Sequence, residues 1–481
     1  WRTEHDVPLA HYSAFMHAEH GTRPYLQLFE ISFPGTIIVH LALTRVFGYG
    51  DGGLMVANLL WFLALGGVTW LLMAPFGRLV AAGSVALFGV AYFSHGPAMM
   101  LQRDPILTLF VAAALLLHVR AWLSPSLRRL LVGALLGVAA AIKPHAGLAL
   151  LPLAVGELLS LRQAQAGGPA AAARTLGAYL AGFAVPCLLV AAWLVASGGF
   201  GAWLEMSRQY MPLYLRMTGY HMTIEGSDRL RHLIKGVRLF GGQITWFVAA
   251  GAGSFLVLSD APPSSPRARL TRLLLAEAGV FAIYPVFAGQ FWDYHYIPFL
   301  YFLTLLSALC LVPVVAARGR VQALLPKMAL VLALVANQPL TESVKLFLLS
   351  QPSVKSGQVD EMAAFLRARL RPGDTVQPLD WTGGAVHAML IARARLATRF
   401  MYDFHFYHHV SHPFIQLLRR RFLDEFQRAQ PRFVLEYFGE NKPWPSGKDT
   451  TREFPELQQI LATSYRVQQS GLEYRIHERR E

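Results

Sequence analysis

The chain has 481 residues, of which 54% are hydrophobic and only 15% charged, a composition too apolar for a soluble enzyme of this length. Two cysteines exclude a disulfide-stapled secreted fold, and the glycines follow no collagen-like period. The formal net charge of +14 would suit nucleic acid, but basic residues of membrane proteins gather in cytoplasmic loops and beside lipid headgroups, so membrane lipids are expected as partners and nucleic acid is not.

Residues 1–33 are polar and rich in His, Glu and Tyr. They read as the first outer loop, behind a span expected ahead of Trp1. Segment 34–48 carries His40 and Arg45 and fits either a short span or a helix at the membrane surface. Ten apolar runs then approach the ~20 residues a bilayer crossing needs: 52–76, 79–97, 105–122, 127–143, 146–161, 176–197, 240–258, 271–289, 295–316 and 321–340. Cys187 and Cys310 sit inside such runs and read as small buried hydrophobes.

The arginines orient these spans. Arg78, then Arg120, Arg128 and Arg129, then Arg162 and Arg174, then Arg267, Arg269 and Arg272, then Arg318 and Arg320 occupy every second junction. By the positive-inside rule these junctions are cytoplasmic. The alternate junctions, with the long loop 198–239, face outward.

Residues 351–481 hold 34 of the 72 Lys, Arg, Asp and Glu residues, and residues 1–350 the other 38. The shift near Gln351 divides a membrane domain, 1–350, from a C-terminal extracytoplasmic domain, 351–481. In the latter, 374–380, 432–438 and 465–477 read as strands, the last a hairpin at Ser470-Gly471, and 357–370 and 413–429 as helices, an α/β pattern. Its Tyr402–His412 stretch, dense in His and aromatics, matches no standard zinc spacing and reads as a loop over the membrane face, with Tyr402 and His405 as sugar contacts. Trp203, Tyr210, Tyr214, Tyr220 and His221 of the long loop are further candidates for acceptor contacts.

Ionisable side chains at the ends of apolar spans are costly and point to substrate work. Four groups stand out: Glu4-His5-Asp6 with Glu30, Arg103-Asp104, Lys143-Pro144-His145, and Asp293-Tyr294-His295. The proposed topology puts all four on the outer face. Carboxylates there can act as base or metal ligand, while Arg, Lys and His can hold a departing lipid phosphate. The same residues admit plainer readings: Asp6 as a helix cap, Arg103-Asp104 as a local ion pair, Lys143 and His295 as interfacial anchors. GxxxxGK[ST], HExxH, CxxC and a Rossmann fingerprint are all missing, which argues against an ATP-driven pump, a zinc protease, a thiol enzyme or a dinucleotide enzyme.

At these positions the sequence resembles a bacterial member of the GT-C superfamily of membrane glycosyltransferases, which includes protein O-mannosyltransferases and lipid A aminoarabinose transferases. The resemblance lies in His5-Asp6 through Gly21-Thr22-Arg23-Pro24-Tyr25 to Phe33-Pro34-Gly35-Thr36 and Phe47-Gly48, in Gln102-Arg103-Asp104-Pro105, in Lys143-Pro144-His145 and in Tyr294-His295-Tyr296-Ile297-Pro298. It implies a polytopic α-helical membrane protein of about 10–12 spans in a bacterial inner membrane. It further implies inverting transfer of a sugar from a polyprenyl-phosphate donor to a glycan, lipid or protein acceptor at the outer face. Asp6 is then the base or the carboxylate that orients the acceptor, Asp104 the second acidic residue, and Glu30 an alternative carboxylate. Arg103, Lys143, His145 and His295 become donor-phosphate contacts, with Tyr294 beside the sugar. Relatives carry an adjacent acidic pair in the first loop, whereas Asp6 is flanked by His5 and Val7. A divalent cation, magnesium or manganese, is therefore left open, with Asp6 and Asp104 as its ligands if one binds. A secondary transporter or flippase, or a non-catalytic subunit of the same fold, is the rival reading.

Overall fold

The computed structural model describes residues 2–163, 168–219, 226–240, 243–313, 320–349, 354–439 and 447–481. It divides into two compact units. One comprises Trp1–Ala57, Ala191–Thr223 and Gln351–Glu481, the other Asn58–Val190 and Ile224–Ser350.

Among the described residues, seven helices are long and apolar enough to cross a membrane: Asp51–Phe76, Pro125–Ile142, Pro144–Arg162, Pro169–Ala196, Pro266–Phe287, Asp293–Leu311 and Leu324–Val344. The chain is a multi-pass membrane protein. The other three expected spans are also helices, Arg78–Phe93, Arg103–Val119 and Gln243–Asp260, of 16, 17 and 18 residues. At about 1.5 Å per residue the first two are slightly shorter than the shortest of the seven. Pro34–Phe47 has only 14 residues, too few to cross by length.

The helical unit is built around Asp293–Leu311, in which every residue from Ile297 to Ala308 is buried. A helix apolar on all sides needs neighbours on all sides. Outward faces carry large apolar side chains instead, Leu188 and Leu189 each being 66% exposed, as lipid contact demands. Small residues bring two of the helices together. A Cβ on Gly133 would lie 2.2 Å from the carbonyl oxygen of Tyr179, and one on Gly137 2.3 Å from that of Phe183. The Gly133-xxx-Gly137 spacing lets the backbones of Pro125–Ile142 and Pro169–Ala196 touch.

The other unit holds a five-stranded sheet, β1 (Thr375–Leu379), β2 (Arg395–Leu396), β3 (Phe433–Tyr437), β4 (Tyr465–Ser470) and β5 (Tyr474–Arg479), in the order β2-β1-β3-β5-β4. β2, β1 and β3 run parallel, and β5 and β4 are antiparallel additions. The expected strands and the hairpin are present. The short helices Ala385–Ala392 and Pro455–Ser464, together with β2, were not expected.

Residues 1–33 depart from the expected polar loop. Asp6–His20 is a helix in which every residue from Val7 to Met16 is buried. Leu9, Tyr12, Phe15 and Met16 share one core with Met362 and Leu366 of the helix Val354–Arg369 and with Val386 and Met389 of Ala385–Ala392. The polar side chains find partners: the Tyr12 hydroxyl donates to the carbonyl of Ala394 at 2.8 Å, and the rings of His11 and His40 meet through their Nδ1 atoms at 2.5 Å. Local polarity suggested solvent, but a tertiary hydrogen bond satisfies a buried hydroxyl as water does.

Candidate functional site

In the helical unit, three of the four expected groups converge. Asp104 is the second residue of the helix Arg103–Val119, where the helix dipole favours a negative charge. Lys143 follows the last residue of Pro125–Ile142 and is extended, at φ −150° and ψ 112°, because the proline at position 144 disfavours the helical conformation of its predecessor. Lys143 Nζ lies 3.0 Å from both carboxylate oxygens of Asp104. Asp104 is fully buried and Lys143 only 7% exposed, so Lys143 does not snorkel to the interface.

Tyr284, from Pro266–Ala288, donates its hydroxyl to Asp104 Oδ1 at 2.7 Å. The ammonium of Lys143 sits over the rings of Tyr284 and Tyr294, 5.0 and 5.6 Å from their centroids. Arg103 reaches the Tyr294 hydroxyl at 3.5 Å. His295 is buried, its Nδ1 donating to the carbonyl of Gln290 at 2.9 Å, and it meets the Tyr294 ring edge to face. His145 packs against Tyr284 and Phe287. Arg103 and Lys143 are the cations of this cluster, in a largely buried setting where a phosphate would be strongly attracted to them. The carboxylate of Asp104 is already bonded by an ammonium and a hydroxyl, a donor set that does not fit the divalent cation left open there. Tyr284 escaped sequence reading because it lies inside an apolar run. A hydroxyl-bearing ring in such a run was the available signal.

The fourth group, Asp6 and Glu30, belongs to the other unit. Asp6 opens the first helix directly after His5, whose backbone sits at φ 54° and ψ −120°, a strained conformation for a residue with a Cβ. Glu30 is 4% exposed, and its Oε1 accepts from the amides of Ile31 and Ser32 at 2.8 and 2.9 Å, so it holds the turn ahead of Pro34. Burial first, then the charge of Glu30 and more weakly that of Asp6, hold the Tyr402 hydroxyl well above the usual phenol range. Both carboxylates therefore act on the same ring.

The expected exposed loop at 402–412 is largely core. Tyr402, Phe404, His405, Phe406 and His408 are all under 5% exposed. His405 packs against Phe29, Tyr210 and Tyr402 with centroids 4.6, 4.8 and 4.6 Å away. Burial, with His408 nearby, pushes its imidazole down to about 3, so the ring is neutral at ordinary pH. Tyr402 and His405 thus form a packed wall and offer no open face to a sugar, because an aromatic-rich segment gains more from burial than from an interface. Tyr210 is buried beside them, and Tyr220 and His221 lie outside the described residues. Among the described residues no three His, Cys, Asp or Glu side chains are grouped to hold a metal ion.

No protein-family model matches the sequence, and no curated protein does. Solved structures do. ArnT from Cupriavidus metallidurans bound to undecaprenyl phosphate superposes with a TM-score of 0.56 at 14% identity, over 99% of this chain and 94% of that one. Its apo state gives 0.54 at 14% identity, with the same coverage. An oligosaccharyltransferase from Archaeoglobus fulgidus gives 0.49 at 11%, over 91% of this chain and 65% of that one. The chain shares the fold of ArnT over nearly its whole length, and the expected architecture of a helical membrane protein with a C-terminal domain is present.

Proposed function

We propose that this chain is an integral membrane glycosyltransferase that moves a sugar from a polyprenyl-phosphate donor to a glycan, lipid or protein acceptor, with inversion, at the outer face of a bacterial inner membrane. The C-terminal domain is extracytoplasmic in this reading. The observation that carries it is the buried Asp104–Lys143–Tyr284 cluster with Arg103, at the ends of membrane helices, in a chain sharing its fold with a protein solved with undecaprenyl phosphate.

Lys143 and Arg103 hold the donor phosphate, and Asp104 and Tyr284 position the ammonium of Lys143. His295 and His145, packed on the same rings, add contacts to that phosphate. Asp6 removes the proton from the acceptor hydroxyl. The acceptor oxygen attacks the anomeric carbon as its bond to the phosphate oxygen breaks, and the polyprenyl phosphate leaves as an anion that needs no strong general acid.

The test is sugar release by the full chain in lipid from a panel of polyprenyl-phosphate sugars, with and without a chelator. Asp6→Asn should abolish transfer while undecaprenyl phosphate still raises the melting temperature. Normal turnover by Asp6→Asn would shift the base to Glu30, and no release from any donor by the wild-type protein would sink the reading. Unchanged turnover under chelation is expected, since Asp104 is already paired with Lys143.

A further inference from the structure

The helix Asp228–Phe240, in the helical unit, has no part in the chemistry above. Its 13 residues reach about 20 Å, too little to cross a hydrocarbon core of ~30 Å. They include Arg229, Arg231, Lys235 and Arg238 against a single carboxylate, Asp228.

Three contacts fix where the helix lies. Arg229 Nη1 donates to the carbonyl of Val286 at 3.0 Å, in the last turn of the membrane helix Pro266–Phe287. The His232 ring meets that of Phe291 with centroids 6.0 Å apart. Gly236 packs so tightly on Tyr296 that a Cβ would overlap its hydroxyl, and Tyr296 belongs to the first turn of the next membrane helix, Asp293–Leu311. The helix therefore lies across the junction of two spans, at the level where hydrocarbon gives way to lipid headgroups.

Positions 229, 232 and 236 are three and four residues apart and share the face turned to the protein. Two other rows point away from it. Leu230 and Ile234, one turn apart, are 61% and 58% exposed. Arg231 and Lys235, also one turn apart, are exposed beside them. Arg231 meets Asp228 at 3.4 Å in a pair whose side chains both stay mostly in the open. Water is a poor neighbour for the first row, and hydrocarbon for the second. The boundary layer of a bilayer suits both at once, with apolar side chains among the upper acyl chains and cations against phosphates. We infer that Asp228–Phe240 is a binding site for anionic phospholipid, with Leu230 and Ile234 inserted among the acyl chains and Arg231 and Lys235 on the headgroup phosphate. Such binding requires only that the chain span a membrane and is independent of sugar transfer.

The experiment attaches an NBD fluorophore to Leu230→Cys or Ile234→Cys in the full chain carrying Cys187→Ala and Cys310→Ala, with Leu472→Cys as the water-exposed reference. Each protein is placed in phosphatidylcholine nanodiscs doped with phosphatidylglycerol or phosphatidylcholine that bears a nitroxide high on its acyl chain. Emission at positions 230 and 234 should be blue-shifted from the reference. The labelled phosphatidylglycerol should quench it at an at least about fivefold lower mole fraction than labelled phosphatidylcholine, the attraction of one cation to an anionic lipid surface. Arg231→Gln with Lys235→Gln should abolish that preference and keep the blue shift, and Lys235→Gln alone should lower it part-way. Both side chains are exposed, so melting temperatures should stay at the wild-type value. Water-like emission at both positions overturns the site. So does equal quenching by the two lipids with Arg231 and Lys235 in place, or a preference that survives the double substitution.

Discussion

Lys143 shows how much one buried charge decides. Its ammonium pairs with a carboxylate that no solvent reaches, and Tyr284 adds a hydrogen bond to the same carboxylate. Removing one member of such a pair leaves a charge buried without compensation, so Lys143→Ala should destabilise the protein by about 3–5 kcal/mol. Thermal melting in detergent checks this, and undecaprenyl phosphate should no longer raise the melting temperature. A second residue makes a pH prediction. His405 is neutral in the folded state, its imidazole depressed to about 3 by burial, whereas in the unfolded chain it takes up a proton near its ordinary value of about 6.5. The unfolded state then binds more protons throughout the window from about 6.5 down to 3, so stability falls as pH falls, by up to about 1.4 kcal/mol per pH unit from this group. His405→Leu should flatten that acid slope. An unchanged slope in melting scans between pH 6.5 and 4 would place the acid sensitivity in other groups.

At the scale of elements, the contact between Pro125–Ile142 and Pro169–Ala196 depends on having no side chain at Gly137, which lies against the backbone of Phe183. Gly137→Val should force the helices apart and lower stability by at least the ~1–3 kcal/mol of an overpacked core. A melting temperature equal to wild type would show that the pair separates without loss. The same helix ends at Lys143 because Pro144 follows it, and that break turns the ammonium towards Asp104. The helix Asp6–His20 illustrates the opposite case. Its sequence, Asp-Val-Pro-Leu-Ala-His-Tyr-Ser, has no clear apolar stripe, because the helix is buried on nearly every side and its hydroxyl and imidazole groups bond to distant chain.

For the whole molecule, the arginine-rich junctions predict which way the chain lies across the membrane. With Cys187 and Cys310 replaced by alanine, a cysteine at the exposed hairpin residue Leu472, 76% accessible, should react with a membrane-impermeant maleimide in intact spheroplasts. Labelling only after lysis would reverse the orientation. The two compact units also cut across the change of composition near Gln351. The unit with the sheet takes in Trp1–Ala57 and Ala191–Thr223 besides the C-terminal residues, and segments far apart in sequence share its two hydrophobic clusters.

By itself the sequence determined the membrane class, the positions of the membrane helices and the main strands, because bilayer thickness and strand alternation act on residues close together in the chain. It also marked Arg103, Asp104, Lys143, Tyr294 and His295, since charge beside an apolar run is costly wherever it occurs. Only the tertiary structure decided that Asp104 pairs with Lys143, that Tyr284 completes the cluster, and that the aromatic stretch at 402–408 is core. Each of these joins residues separated by tens to hundreds of positions, and hydrogen bonding and burial between such residues depend on their distance in space, which local sequence does not encode.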